Sequence, residues 1–465
     1  MPYFKTWAEN ILLPNAGIGT GSRKIIYARS TGNDATGTGT LVNPYRTLQR
    51  CLKDIPIYIL YSDSYIIDIT GIGLEDIPGG LQLPHFVNVG DYIYNFAPDA
   101  PGFEIEAPLT IRALPTPAST IDTLLAGDII SQVLDPDTGL LTINTNKAYA
   151  LDALRRTNIY GSGFFEIGAI ESNTAGPNTS ITVCSTTPLT TPIIICTPNA
   201  EIRNNTPFDF QNSGINIRGL SCTTVFQGIK ISNITDFISG LLLTGSKDIS
   251  FISCHLPNAM NHSGECIGDP VYWGVVFGNG LMSNNYVYLN GGIPLFYNCF
   301  MDTINWRYNG GGHHFPLHIE GTICNGCTSI GKSSPIELTK CHIKNSAGHG
   351  IAIESGTVDT NSITYTKIDN SLLDGIRCNL INGVLGLNNI RGVGNGGIGL
   401  NIQSDGARCL VADNNTDITG AGGDLKVGGL PVRTWVNFRT IAPIKIEADI
   451  GAINNTQTQA TMRQP

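Results

Sequence analysis

Charge is scarce in this chain. Only 14% of its 465 residues are charged, whereas an average globular domain carries roughly 25%. The 28 Lys and Arg face 37 Asp and Glu, which gives a formal net charge of −9, and no run of Lys or Arg occurs. Proteins that bind the phosphate backbone of nucleic acid need clustered cationic side chains. The sequence therefore predicts no nucleic-acid partner.

Long hydrophobic runs are also missing. The densest apolar segments, residues 55–61 and 193–196, have the length of strands, and none approaches the roughly 20 residues that span a bilayer. Residues 1–9 lack the apolar core of a secretory signal, because Glu9 stands where that core belongs. We therefore expect no membrane span and synthesis in the cytoplasm.

Cysteine is too sparse for a disulfide scaffold. The twelve cysteines are scattered over the chain, which favours buried free thiols. The densest group of metal-ligating residue types comprises His313, His314, His318, Cys324 and Cys327. Their order and short gap match no common zinc module, so we expect no metal and no other cofactor.

Repetition is what the chain has in abundance. Similar strand-like segments begin at Ile249, Ile293 and Ile336, 44 and 43 positions apart, with others midway at Val271 and Phe315. The resulting period of about 21 to 22 residues is typical of solenoids. It leaves no room for a helix of about 10 to 12 residues beside the strands. We therefore predict an all-β fold, a parallel β-helix in which each coil covers the apolar face of its neighbour.

A second repeated motif is Gly-Ile followed by an apolar residue two places on, at Gly350, Gly375 and Gly397. Apolar residues would point inward, and Gly or Asn would occupy the corners that need a positive φ. These motifs predict stacked coils over residues 201–429. A single inward stack is predicted for Cys254, Cys299 and Cys341.

Other regions depart from the repeat. The segment Asp135-Pro-Asp-Thr-Gly139 is a strong turn signal between apolar residues 129–134 and 140–143. We therefore interpret residues 120–200 as an inserted β-subdomain. The remaining divisions are an N-terminal assembly arm at 1–22, the opening of the β-helix at 23–119, and a C-terminal cap and tail at 430–465, which contains Trp435.

The segment from Ile26 to Gln49 carries a resemblance. Its strand is followed by Gly32-Asn33-Asp34, Gly39-Thr40 and Asn43-Pro44-Tyr45-Arg46-Thr47. It resembles the opening of the pectate-lyase-like right-handed parallel β-helix superfamily, in which such motifs precede a helix that caps the first coil. The resemblance implies a right-handed single-stranded parallel β-helix with an inserted β-subdomain and terminal arms, capped by a helix at residues 47–55.

The terminal arms and the insert look most like those of virion-associated members, either phage tailspike-like or viral structural proteins. That resemblance implies a location in the virion after synthesis in the host cytoplasm. The alternative is an extracellular location reached by a non-classical route. Expected partners are other virion or assembly proteins, with a homotrimer and a polysaccharide as further candidates.

One polar constellation is a candidate catalytic site. Gly348-His349-Gly350 matches an element of the polygalacturonase family, although the rest of that pattern is missing, and glycoside hydrolysis needs paired carboxylates. If Gly350 stacks on Gly375, His349 lies above Asp374. Ala352 then lies above Arg377 and Glu354 above Asn379, and a weaker alignment of 317–320 with 351–354 adds Glu320. The candidate residues are Glu320, His349, Glu354, Asp374 and Arg377; the alternative is a solvated face with surface ion pairs.

Aromatic residues provide a second candidate site. Aromatic faces stack on sugar rings, so Tyr272, Trp273, Trp306 and Tyr308 are candidates for carbohydrate binding. The alternative is that these rings pack within the coils.

Two functions remain open from the sequence. The favoured one is a structural or receptor- or glycan-binding component of a virus or phage particle, without depolymerising activity. The alternative is a carbohydrate-active enzyme, a polysaccharide lyase or glycoside hydrolase, acting on a surface polysaccharide. The first is favoured because the sequence contains neither a cluster of calcium ligands nor a complete hydrolase pattern.

Overall fold

The computed structural model describes most of the chain. The described residues are 23–56, 58–59, 63–77, 81, 86–87, 95–96, 105–106, 109–163, 166–204, 215–218, 224–233, 241–244, 249–256, 260–262, 271–277, 286–289, 295–302, 305–308, 317–327, 336–355, 360–380, 384–404, 410–429 and 446–448. The predicted arm at 1–22, Trp435 and the polar tail lie outside these residues.

The opening of the chain contains a short helix at the predicted position. Thr47 caps this helix, because its hydroxyl accepts a hydrogen bond from the Arg50 N–H at 3.1 Å. The buried Glu75 carboxylate accepts a second bond, from the Leu48 N–H at 2.7 Å. The elements are β1 (Arg23–Tyr27), α1 (Leu48–Leu52), β2 (Tyr58–Ile59), β3 (Ser64–Asp68), β4 (Gly73–Asp76), β5 (Phe86–Val87), β6 (Asn95–Phe96), β7 (Ile105–Glu106) and β8 (Leu109–Arg112).

The insert is a seven-stranded antiparallel sheet. Its first hairpin turns where the sequence predicts: Asp135 Oδ1 accepts the N–H groups of Asp137 and Thr138 at 2.8 and 2.9 Å, and Gly139 has a φ of 66°. The strands are β9 (Thr120–Leu124), β10 (Ile129–Leu134), β11 (Leu141–Thr145), β12 (Asn158–Tyr160), β13 (Ile167–Asn173), β14 (Thr179–Cys184) and β15 (Ile193–Cys196), with a 3-10 helix at Ala126–Asp128.

The rest of the described chain winds in coils of parallel strands. The strands are β16 (Ala200–Asn204), β17 (Ile215–Arg218), β18 (Thr224–Gln227), β19 (Lys230–Asn233), β20 (Leu241–Thr244), β21 (Ile249–Ile252), β22 (His255–Leu256), β23 (Met260–His262), β24 (Val271–Trp273), β25 (Val276–Phe277), β26 (Tyr286–Leu289), β27 (Leu295–Tyr297), β28 (Phe300–Asp302), β29 (Asn305–Tyr308), β30 (Leu317–Glu320), β31 (Ile323–Asn325), β32 (Ile336–Thr339), β33 (His342–Lys344), β34 (Ile351–Ser355), β35 (Thr360–Thr364), β36 (Lys367–Asp369), β37 (Ile376–Leu380), β38 (Val384–Asn395), β39 (Ile398–Ser404), β40 (Leu410–Gly420), β41 (Gly423–Gly429) and β42 (Ile446–Ala448).

Three strands make a complete coil, and each pairs in parallel with its counterpart in the next coil. In the last coils one long strand, β38 and then β40, takes the place of the first two strands. The first two strands of successive coils belong to one sheet of 21 strands. The third strands form two five-stranded sheets, one from β17 to β29 and the other from β34 to β42. Ile319 pairs with Leu338, and Leu338 with Ile363, so a coil takes about 20 to 25 residues, close to the predicted period.

The corner between the first and second strands repeats a left-handed backbone. Gly228, Ser253, Gly274, Asn298 and Gly321 have φ values between 50° and 66°. The N–H of each donates to a carbonyl of the next coil, as Asn298 does to Glu320 at 2.9 Å. Gly and Asn tolerate this conformation best, which is why the sequence places them there so often.

The interior of the coils is a continuous apolar column. Phe226, Phe251, Tyr272 and Phe296 stack with ring centroids 5.2, 5.4 and 4.7 Å apart. Such offset stacks add to the free energy gained by burial. The predicted inward cysteines are present, with Val275 and Thr322 in the intervening coils; the buried thiols are Cys254, Cys299 and Cys341.

The insert packs on the outer face of the 21-stranded sheet. Its Tyr160 and Ile167 join an apolar cluster with Trp273 and Tyr297 of the coils. Polar contacts lie beside this cluster: Asp302, 4% exposed in its side chain, accepts hydrogen bonds from Arg155 and Arg156. A further ion pair joins Lys344 to Glu171 at 2.8 Å.

The predicted fold class is confirmed: the chain is an all-β protein built on a parallel β-helix. Among the described residues, none of the helices is long and apolar enough to cross a membrane.

Candidate functional site

The corner that precedes the third strand brings three residues of the predicted constellation together. The Gly350 N–H donates to the Asp374 carbonyl at 3.0 Å, and the Ile351 N–H to that of Gly375 at 2.9 Å. The resulting register places Ala352 opposite Arg377 and Glu354 opposite Asn379. The stacking of Gly350 on Gly375, predicted from the Gly-Ile motif, is therefore confirmed.

His349 lies between an acidic and a basic side chain. Its Nδ1 is 3.4 Å from Asp374 Oδ2, and its Nε2 is 3.3 Å from Arg377 Nη1. The side chains of His349 and Asp374 are only 14% and 11% exposed, and Arg377 is half-buried. His349 thus contacts two of the other predicted catalytic residues, Asp374 and Arg377.

The position of the Asp374 carboxylate is fixed by the following coil. Oδ1 accepts a hydrogen bond from the Ile398 N–H at 2.7 Å, and Oδ2 accepts one from Asn401 Nδ2 at 2.9 Å. Burial by itself would raise the pKa of Asp374, but His349, the Ile398 N–H and Asn401 lower it below its usual 3.8. Asp374 is therefore an anion at neutral pH.

Both ring nitrogens of His349 face hydrogen-bond donors. The Asp374 backbone N–H donates to Nδ1 at 3.2 Å. Arg377 Nη1 lies 3.3 Å from Nε2, and a guanidinium has N–H donors and no acceptor. The Asp374 backbone and the Arg377 side chain therefore fix the orientation of the ring.

Further polar atoms lie along the same outer sheet face. Ile376, Cys378, Leu400 and other apolar residues of these strands point into the core, so their neighbours Arg377, Asn379 and Asn401 point outward. Arg377 Nε and the side-chain oxygens of Asn379 and Asn401 are buried and have no hydrogen-bond partner among the described residues. Such atoms cost free energy unless a ligand or water satisfies them.

The two predicted glutamates have different outcomes. Glu354 lies on β34, opposite Asn379, and its side chain is outside the described residues. Glu320 lies on β30, which pairs with β27 and β32 in the 21-stranded sheet. The alignment that placed Glu320 on the face of Glu354 is therefore wrong, because β30 and β34 belong to different sheets.

Glu320 belongs to a separate polar group that the sequence patterns missed. His318 Nδ1 is 3.2 Å from Glu337 Oε2, and His318 Nε2 is 4.0 Å from Glu320 Oε2. Burial raises the pKa of Glu320 above its usual 4.5, whereas the hydrogen bond from His318 lowers that of Glu337. His318 and Glu337 are neighbours because β30 pairs with β32. The sequence could have indicated this group only if these two strands had been aligned correctly.

The aromatic candidates do not form an exposed platform. Tyr272 is fully buried in the interior stack. Trp273 is 5% exposed beneath the insert, and its Nε1 donates to the Ile167 carbonyl at 3.3 Å. Neither ring can stack on a sugar, so this prediction is wrong for both. Trp306 and Tyr308 lie on β29, and their side chains are outside the described residues.

Metal ligation has no site among the described residues, where no three His, Cys, Asp or Glu side chains converge. Cys324 and Cys327 point into the apolar core, and Cys324 Sγ contacts Met301 Sδ at 3.8 Å. His313 and His314 lie outside the described residues.

Comparison with known proteins gives low similarities. No family model matches the chain, and no curated protein matches it. One similar solved structure is the tailspike protein gp49 from Pseudomonas phage LKA1, with 14% identity, 87% of this chain and 76% of that chain covered, and a TM-score of 0.23. Another, titled glycoside hydrolase, has 8% identity, covers 85% of this chain and 96% of that chain, and has a TM-score of 0.19. The fold assignment rests on the strand pairings described above.

Proposed function

We propose that this chain is a glycan-binding component of a virus or phage particle, and that the outer face of the sheet from β34 to β42 binds the glycan. One observation carries the binding site: Arg377 Nε and the side-chain oxygens of Asn379 and Asn401 are buried and have no partner within the part of the chain that the structure describes. The virion assignment is supported by the sequence resemblance.

The unpartnered atoms define what a ligand must offer. Arg377 Nε is a donor and needs an acceptor, whereas the two Asn oxygens are acceptors and need donors. A phosphate or carboxylate can supply only the first. A hydroxyl group supplies both, and a saccharide presents several hydroxyls. Adjacent strands are about 4.8 Å apart, so a row of such residues along the coils suits a linear polymer.

Binding of the chain to immobilised bacterial surface polysaccharides tests this site. We expect the wild-type chain to bind one of them, and Asn379→Ala and Asn401→Ala each to weaken that binding about 5- to 10-fold, as loss of one hydrogen bond predicts. Thr339→Val, an outward residue of the 21-stranded sheet, is the matched control and should bind normally. Equal affinity in all four proteins would place the glycan elsewhere.

The virion assignment has its own test. The expectation is that residues 1–22 are an assembly arm, because they contain too little periodic apolar sequence to form a core. Deleting them should leave the thermal melt of the chain nearly unchanged and abolish its incorporation into particles. A truncated chain that melts much earlier and still assembles would show that the segment is an intramolecular cap.

A specific observation favours glycoside hydrolysis as the second candidate function. Glu320 and Glu337 flank His318 and have pKa values shifted in opposite directions, the pattern of a general acid beside an ionised carboxylate. In that case Glu320→Gln and Glu337→Gln would each abolish release of reducing ends from a bound polysaccharide. Failure of the wild-type chain to release any would exclude this function for that polymer.

A further inference from the structure

We propose that Arg377 makes the outer face of the sheet from β34 to β42 selective for acidic glycans, with one edge of its guanidinium binding a sugar carboxylate. That the anion belongs to a sugar rests on the proposed function, because the selectivity concerns the same face. A face that binds only neutral sugars would leave the proposed function intact and exclude this selectivity.

Arg377 lacks the counter-charge that comparable arginines have. Its side chain is half-buried, and among the described residues its one polar contact runs from Nη1 to His349 Nε2 at 3.3 Å. Every other arginine that the structure describes as buried or half-buried has a carboxylate within ion-pair distance. These paired residues are Arg29, Arg50, Arg112, Arg155, Arg156, Arg203 and Arg391. A half-buried charge without a partner costs free energy, and an anionic ligand removes that cost.

The neighbouring Asp374 carboxylate is committed to other donors. Its Oδ1 accepts from the Ile398 N–H at 2.7 Å, and its Oδ2 accepts from Asn401 Nδ2 at 2.9 Å. Both donors belong to the following coil. Asp374 thereby holds the Asn401 amide with its oxygen left for a ligand, and it leaves the Arg377 guanidinium to an external anion.

The orientation of the guanidinium decides which anion matches it. Nη1 faces His349, so Nε and Nη2 form the opposite edge, where their N–H groups point the same way. Nε has no partner among the described residues. Two parallel N–H donors match the two oxygens of a carboxylate. Phosphate sites usually combine several cationic side chains, so a carboxylate is the better match for this single edge.

The two asparagines lie at distances that suit the same sugar. Asn401 pairs with Arg377 on the adjacent strand, about 4.8 Å away, and Asn379 follows Arg377 by two residues on β37, about 6.6 Å away. These spacings are comparable to the size of one sugar ring. A sugar acid can therefore place its carboxylate at Arg377 and its hydroxyls at the asparagine oxygens, which accept hydrogen bonds.

The test measures binding of the full chain to immobilised polysaccharides of known charge. The acidic probes are alginate, hyaluronan and colanic acid, the neutral probes are dextran, levan and mannan, and a phosphomannan carries phosphate instead of carboxylate. Each acidic probe is also used after carboxyl reduction, which converts its carboxylates to alcohols. We expect at least one acidic probe to bind, and carboxyl reduction to weaken that binding about 10- to 100-fold, as loss of a charge-assisted bidentate contact predicts.

Three variants separate charge recognition from hydroxyl recognition. Arg377→Gln should weaken binding of the acidic probe to the level of its reduced form and bind both forms equally. Asn379→Ala should weaken binding of both forms by a common factor, because its oxygen accepts from a hydroxyl that both retain. Arg391→Gln is the matched control: this half-buried arginine already pairs with Asp137 at 3.6 Å, so the variant should keep the wild-type affinity.

Three results would overturn the selectivity: equal affinity for native and carboxyl-reduced probes, a preference for a neutral probe or the phosphomannan, or wild-type affinity in Arg377→Gln. Carboxyl reduction uses the wild-type chain alone, so the comparison stands even if Arg377→Gln fails to fold. Absence of binding to every acidic probe overturns the selectivity as well, whereas the proposed function fails only if the bacterial surface polysaccharides do not bind either.

Discussion

The Asp374 carboxylate occupies the space that a side chain at Gly397 would need. A Cβ built at position 397 would lie 2.4 Å from Asp374 Oδ1 and 2.9 Å from its backbone nitrogen. The glycine of this Gly-Ile motif therefore leaves room for the Asp374 carboxylate of the preceding coil, which lies 3.4 Å from His349 Nδ1.

Gly397→Ala tests this relationship. The added methyl group must displace the carboxylate or the corner of the preceding coil, and such overpacking costs typically about 1–3 kcal/mol. We expect that loss in the free energy of unfolding, measured by denaturant titration. Gly386→Ala is the control, because its Cβ would meet only the Asn361 carbonyl at an ordinary 3.7 Å. Equal stability of the two variants would contradict the close approach.

Ile376→Asp tests the stacked core. Ile376 is fully buried and pairs with Ile351 in one coil and Leu400 in the other. An unpaired carboxylate there is far too costly to keep, so neighbouring coils should unfold together, with loss of β-type circular dichroism. Leu372→Asp, at a side chain 67% exposed, should change little. A wild-type melt for Ile376→Asp would contradict the stacking of these coils.

Asp302→Ala tests the attachment of the insert. Removal of the buried carboxylate leaves Arg155 and Arg156 without their shared partner, and because these arginines are partly exposed we expect a loss of about 1–3 kcal/mol. Proteolysis of the segment at 150–156 should accelerate. The control is Asp76→Ala, which removes an exposed pair with Arg203 and should cost less. Identical proteolysis rates in the two variants would argue against a role of Asp302 in attaching the insert to the coils.

His255 predicts how stability depends on pH. It lies between the insert and the coils, with Nε2 2.9 Å from Asn158 Oδ1, and burial lowers its pKa from 6.5 to about 3. Between these two pKa values His255 binds a proton in the unfolded chain but not in the folded chain. The contribution of neutral His255 is therefore complete above pH 6.5 and is lost as the pH falls toward 3.

The measurement compares wild type with His255→Gln in denaturant titrations at several pH values. We expect the wild-type chain to lose more free energy of unfolding than the variant between pH 7 and pH 4. An equal loss of unfolding free energy in the two proteins over this range would show that His255 does not contribute to the pH dependence of stability.

The sequence by itself determined what is local. Thr47 and the residues after it specify a capped helix, because the cap needs only a hydroxyl three residues from an N–H. Asp135 and Gly139 specify the hairpin turn for a similar reason. Coil register was also accessible, since the Gly-Ile spacing placed Gly350 on Gly375 and so predicted the contact of His349 with Asp374.

Only the tertiary structure decided which face of a strand is covered. Val271, Tyr272 and Trp273 are consecutive and all buried, because the core takes Tyr272 and the insert covers its two neighbours. Alternation along a strand cannot reveal this when both faces are apolar. Glu320 shows the same limit. Its neighbours in sequence resemble those of Glu354, yet the two residues lie in different sheets. Their assignment depends on how many strands precede each of them in its coil, and only the folded chain shows that number.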